Sequence, residues 1–304
     1  MPSKKNLQHI FRRLNSSKKR RSGTFQTIGQ RKGFCLGTKV TFLRKLRLVL
    51  RKEMEEETII EDKQGCFALT SHEEIAILRL GGDFLLELIE LSVSNRLFDL
   101  LERISQSSEI EVLVIINCPE KIGCKEYIHF CRQAINSEVD RKSIHRMCNI
   151  FDQLILKIIK LNKLVIHADC GEVISLFLNM GLACDYRIVA RDTTFQKPYF
   201  ELEMLPKGGG PFFLCNLLGY SKTKQLLMSE KEISASEALE IGFVDQVVTY
   251  DKLEETAIQT AQDWARRSTR SLLGIKRLLN YTMKDLTDYL NFESNELLKT
   301  IGFF

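Results

Sequence analysis

The chain has 304 residues, 44% hydrophobic and 27% charged, a balance that suits a soluble globular protein with a full core and excludes a fibrous or low-complexity chain. No apolar run approaches the ~18 residues that a membrane-spanning helix needs. The net charge of +5 is unevenly spread: 16 of the 44 Lys and Arg fall in residues 1–52, which hold no acid, and the other 28 stand against all 39 Asp and Glu. An acidic body thus carries a basic arm.

The arm opens MPSKKNLQHIFRRLNSSKKRRSG, with Leu7, Ile10, Phe11 and Leu14 at helical spacing among cations. That pattern fits a short basic amphipathic helix at a membrane surface, a polyanion contact, an organellar transit peptide or a solvated extension. A second basic stretch, VTFLRKLRLVLRKEMEEE, reads as helical, and a boundary falls near residue 65. The expected divisions are therefore a basic extension over 1–65, a core over 66–250 and a helical lobe over 251–304. Nine scattered cysteines show no CxxC spacing, so a metal site and a disulfide framework are not expected; reduced thiols point to a cytoplasmic protein, or an organellar one if the arm is a transit peptide.

Along the body, IAILRL (75–80) reads as a strand. In SVSNRLFDLLERIS, Val93, Leu97, Leu100, Leu101 and Ile104 mark an amphipathic helix. VLVII (112–116) is short and wholly apolar, as in a strand covered on both faces. Residues 143–161 form a helix, LVIHA (164–168) a strand, 173–183 a helix and YRIVA (186–190) a strand. Glu201 and Glu203 alternate along a segment read as extended, so they share a face. Ser234 with Glu237 three residues on is a capping box, and Gly242 stops that helix. FVDQVV returns as a strand, and 251–300 reads as helical throughout. Strands alternating with helices, then a helical tail, make an α/β protein.

From Lys163 to Pro211 the order of segments is specific: KLVIHADCG, EVISLFLNMGLACDYRIVA, FQKPY and ELEMLPKGGG. These resemble, without a gap, the corresponding motifs of the enoyl-CoA hydratase/isomerase family, the crotonase superfamily. LLMSEKEISASEALEIGFVDQVV resembles a further family segment downstream, and the likeness covers roughly 66–290. It implies a crotonase-like spiral of β-β-α units with a C-terminal helical trimerisation lobe, assembled as a homotrimer or hexamer. It also implies a partner: an acyl-CoA or carrier-linked acyl thioester, with coenzyme A entering as part of that ligand and no separate cofactor.

The resemblance places two backbone oxyanion donors at Cys124, in KIGCKEY, and Leu176, in EVISLFLN. Such N–H groups stabilise an enolate-like oxyanion without any particular side chain. The family favours glycine at 175–177, where this chain has Ser175, Leu176 and Phe177, so the hole is expected to be either narrowed or plugged. The two hydratase glutamates fall on Asn179 and Tyr199, and an acid that some isomerases use falls on Lys207. Asn does not exchange protons near neutral pH, and Tyr ordinarily titrates near ~10. Ordinary hydration is therefore not expected. The candidate catalytic side chains are Tyr199, Glu203 and Lys207, with Asn179 beside them, and Lys125, Lys276 and Arg277 are candidates for the coenzyme phosphates. Two readings follow: a divergent enzyme on a thioester, or a catalytically inactive binding or scaffold protein.

Overall fold

A computed structural model describes residues 60–61, 66–81, 84–117, 124–136 and 142–301. The basic arm, both of its amphipathic stretches and residues 121–123 of the KIGCKEY turn lie outside the described residues.

A seven-stranded sheet organises the chain, in the order β1-β2-β3-β4-β5-β7-β10. Strands β1 (Ile60–Glu61), β2 (Phe67–His72) and β3 (Ile75–Leu80) are antiparallel neighbours. From β3 onward, β4 (Val112–Asn117), β5 (Leu164–Asp169), β7 (Tyr186–Ala190) and β10 (Gln246–Val248) pair in parallel. All six residues of β4 and of β5 are buried, as the apolar run VLVII and the segment LVIHA lead one to expect of strands covered on both faces. A small second sheet follows the order β6-β8-β9: β6 (Glu172–Ile174), β8 (Thr194–Gln196) and β9 (Ile233–Ser234).

Ten helices are described. α1 (Phe84–Glu87), α2 (Leu91–Gln106), α3 (Cys124–Asn136), α4 (Lys142–Lys160) and α5 (Ser175–Leu182) come first. α6 (Gly210–Leu227), α7 (Ala235–Glu240), α8 (Leu253–Ala265), α9 (Thr269–Asn280) and α10 (Leu286–Thr300) follow. On one face of the sheet, side chains of α2, α4 and α5 join Leu113, Ile115 and Val165 in the main core. On the other face, α8 presents Leu253, Ala257, Ala261 and Ala265 to Ile77, Val114 and Ile166. Small residues every four positions let the helix axis approach the strands closely.

The expected capping box is present: the Ser234 hydroxyl accepts from the Glu237 N–H, and the Glu237 carboxylate accepts from the Ser234 N–H. Gly242 ends that helix region with φ 81°. Two readings differ. Residues 173–183 are not one helix, because β6 precedes α5. Residues 201–203 are not extended: the Leu202, Glu203 and Met204 N–H groups bond to Pro198, Phe200 and Tyr199 carbonyls in a tight turn, and Glu203 has φ 50°. The Glu–Leu–Glu–Met alternation mimics a strand, but it is the two buried residues, Leu202 and Met204, that anchor this turn.

Candidate active site

The site grows from the junction where β6 enters α5. Its N-cap residue, Ile174, has no polar side chain to satisfy the first-turn N–H groups, so the positive end of the helix dipole is presented there. Leu176 lies in that first turn and is buried. The other expected donor, the Cys124 N–H, starts α3 and points to Glu172 of β6, with Oε2 at 3.4 Å. Sequence reasoning missed Glu172, because a lone acid at the start of a three-residue strand carries no periodic signal.

Beside Ser175 and Leu176 is a cavity of about 20 Å³, walled by apolar side chains including Met147, Phe151, Leu202, Met204 and Leu205. Tyr199 and Lys207 also line it. A space of that size holds about one water molecule. A second cavity, also about 20 Å³, is lined by Leu178, Asn179, Phe195, Leu214, Leu227 and Ile233. Only Ser175 and Tyr199 line both.

Each polar side chain at an expected acid position is already committed. The Asn179 amide donates to the Lys207 carbonyl at 2.7 Å. The Tyr199 hydroxyl donates to the Leu227 carbonyl at 3.0 Å, and burial pushes the phenol up to about 12. Lys207, 5% exposed, donates to Asp152 Oδ2 at 2.6 Å, Glu293 Oε1 at 3.2 Å and Ser294 Oγ at 2.9 Å. Two carboxyls share one ammonium. Burial lifts the Glu293 carboxyl to about 6 and raises Asp152 as well, against the pull of Lys207. The two carboxylates hold the Lys207 ammonium above its usual range despite its burial.

These bonds explain why FQKPY and LPKGGGP have their residues. Lys197 and Tyr199 donate to the Leu226 and Leu227 carbonyls at the end of α6, and Lys197 also reaches the Ser229 carbonyl. A cation suits the negative end of a helix. At the other end, the Glu293 carboxylate accepts from Gly208 N–H at 2.7 Å and Gly209 N–H at 3.1 Å. Both glycines have positive φ, 87° and 76°, where a side chain is strained. Helix α6 is thus capped at both ends by residues from elsewhere in the chain.

The remaining candidates do not gather here. Glu203 is exposed on its turn, and Glu201 pairs with Arg132 at 2.8 Å. Lys125 is exposed on α3, and Arg277 is exposed on α9. Lys276 is buried and donates to the Lys163 carbonyl at 2.9 Å and Asp185 Oδ2 at 2.7 Å. It lines two larger grooves of about 480 and 450 Å³ that share no residue with the cavity at Leu176. The thiols of Cys131 and Cys148, the latter in the cavity wall, are pushed up to about 12 by burial, which makes them poor nucleophiles. His167 is a buried strand residue: its Nδ1 lies 2.8 Å from Asp169 Oδ2, and Asn117 donates to Asp169 Oδ1.

The profile of the enoyl-CoA hydratase/isomerase family matches residues 89–301. The chain belongs to that family. Among curated members, it is 26% identical over 242 residues to the short-chain-enoyl-CoA hydratase of Clostridium acetobutylicum, across 79% of this chain and 88% of that one. It is also 26% identical over 173 residues to the trans-2-decenoyl-[acyl-carrier-protein] isomerase of Streptococcus mutans, across 57% of this chain and 65% of that protein, just under two thirds of its length. Solved structures of the family share the fold. The enoyl-CoA hydratase from Bacillus halodurans superposes with a TM-score of 0.64 at 16% identity, covering 78% of this chain and 95% of that one. That from Bacillus anthracis gives 0.60 at 21% identity, covering 77% and 90%. The α/β core and helical C-terminal region are those of the family fold.

Proposed function

We propose that the protein is a divergent family member that binds an acyl-CoA or carrier-linked acyl thioester at the N-terminus of α5 and does not hydrate it. The thioester oxygen is received by the Leu176 and Cys124 N–H groups, where a helix dipole and backbone donors stabilise negative charge. One observation carries the reading: Asn179, Tyr199 and Lys207 all spend their hydrogen bonds on the protein itself. None is left to activate water, which hydration requires. On this reading Tyr199 and Lys207 serve the fold rather than proton transfer. Copies associate as a trimer or a dimer of trimers through the C-terminal helices, a reading supported by the apolar side chains exposed on α9.

A second reading, a scaffold that binds no thioester, has its own support. The Glu172 carboxylate faces the Cys124 N–H, and the adjoining cavity holds about one water. Calorimetry with butyryl-CoA and crotonyl-CoA separates the two, with turnover followed at the thioester absorbance. Binding without loss of crotonyl-CoA is the expected result. Steady hydration sinks the first reading, and no binding of either compound leaves the scaffold.

A further inference from the structure

We propose that Tyr199 is the chain-length stop of the acyl pocket, so that the protein takes short, uncharged acyl groups. The inference rests on the thioester reading above. An acyl group whose carbonyl meets the Leu176 N–H would set its first carbon beside Ser175 in the first cavity, which the Tyr199 ring helps to line. The second cavity is lined by the same ring, and among the described residues the two walls share Ser175 and Tyr199 alone. The ring cannot drift: it is 6% exposed, and its hydroxyl is tied to Leu227 at 3.0 Å. A fixed ring shared by both linings would act as the wall between the two cavities. A carboxylated acyl group is disfavoured, because Lys207, the one cation among the described residues lining the first cavity, is already paired with both Asp152 and Glu293.

The test compares wild type with Tyr199→Ala, using two probe series. Acyl-CoAs from butyryl to dodecanoyl are measured by calorimetry, and n-alcohols from butanol to decanol by thermal shift. In the wild type, affinity is expected to fall along the acyl-CoA series as the chain outgrows the cavity, and to gain nothing with length among the alcohols. In Tyr199→Ala, the two cavities and the vacated ring volume join, and affinity climbs by about fourfold per added methylene over several carbons. An isolated hole left by the ring would instead saturate at the shortest alcohols, and that result overturns the proposal. So does a wild type that already gains with length, or a variant whose profile matches the wild type. Should alcohols show the expected change while no acyl-CoA binds either protein, the wall stands and the thioester reading falls. Tyr199→Leu, which keeps apolar bulk without the hydroxyl tether, serves if the alanine variant fails to fold. It is expected to let affinity rise over one or two added carbons of the alcohol series before levelling, and a profile as flat as the wild type's counts against the proposal.

Discussion

Glu293 sits 5% exposed beside Asp152, Lys207, Cys148 and Tyr289, and its folded carboxyl stands near 6 against an ordinary 4.5. A raised carboxyl takes up its proton in the folded state before the unfolded chain does. Its contribution is therefore present in full below about 4.5 and is lost as pH rises through about 6. Relative to Glu293→Gln, the wild type should gain about 2 kcal/mol as pH falls from 7 to 4.5. Urea unfolding of both proteins at several pH values reads this, and a pH-independent difference contradicts it. Lys207→Met should be more damaging, by about 3–5 kcal/mol near neutral pH, because it strands two buried carboxylates without a counter-ion. Tyr199→Phe removes only the donor to Leu227, a half-buried carbonyl, and should cost about 1 kcal/mol in the same assay. A larger loss would show that the hydroxyl supports more than that one bond.

At the scale of elements, the turn from Lys207 to Gly210 is where α5, α6 and α10 meet. A Cβ added at Gly210 would lie 2.8 Å from both Asn179 Nδ2 and Oδ1, so the glycine is required by the amide that holds the Lys207 carbonyl. Gly210→Ala should cost about 2 kcal/mol through overpacking. Asn179→Ala opens that space, so the double mutant should be more stable than the sum of single effects by about 1 kcal/mol. Strict additivity in chemical unfolding would mean that the two residues do not compete for space. Strands β3, β4, β5 and β7 were legible because short apolar runs leave few alternatives, and the capping box was legible because its partners are three residues apart. Strands β6, β8 and β9 were not, since two or three residues cannot display a period. The caps of α6 were equally hidden: Glu293 and Gly208 are far apart in sequence, and no local pattern joins them. Asn179, Tyr199 and Lys207 were singled out by motif, but their commitments to Lys207, Leu227 and Asp152 appear only in three dimensions.

Across the whole molecule, the C-terminal region leaves an account unfinished. Helix α9 buries only Thr269 and Lys276, while Ile275, Leu278 and Leu279 are 52%, 76% and 62% exposed, and Tyr281 just beyond is 75% exposed. Lys276 fixes the helix to the core through Asp185 and the Lys163 carbonyl, so this apolar side is held outward rather than left loose. Burying it stabilises at about 25 cal/mol per Å², and contiguous apolar patches of this kind mark contact surfaces. If copies associate here, replacing Leu278 and Tyr281 by Glu places two charges in an apolar interface without partners, at a cost no surface salt bridge would offset. Light scattering should then give a mass of three or six chains for the wild type and of one chain for the double variant, with helical circular dichroism retained. A wild type that runs as a single chain at micromolar concentration would remove the assembly. The exposed face would then need an occupant of different chemistry. A double variant that keeps the wild-type mass would place the contact elsewhere on the molecule.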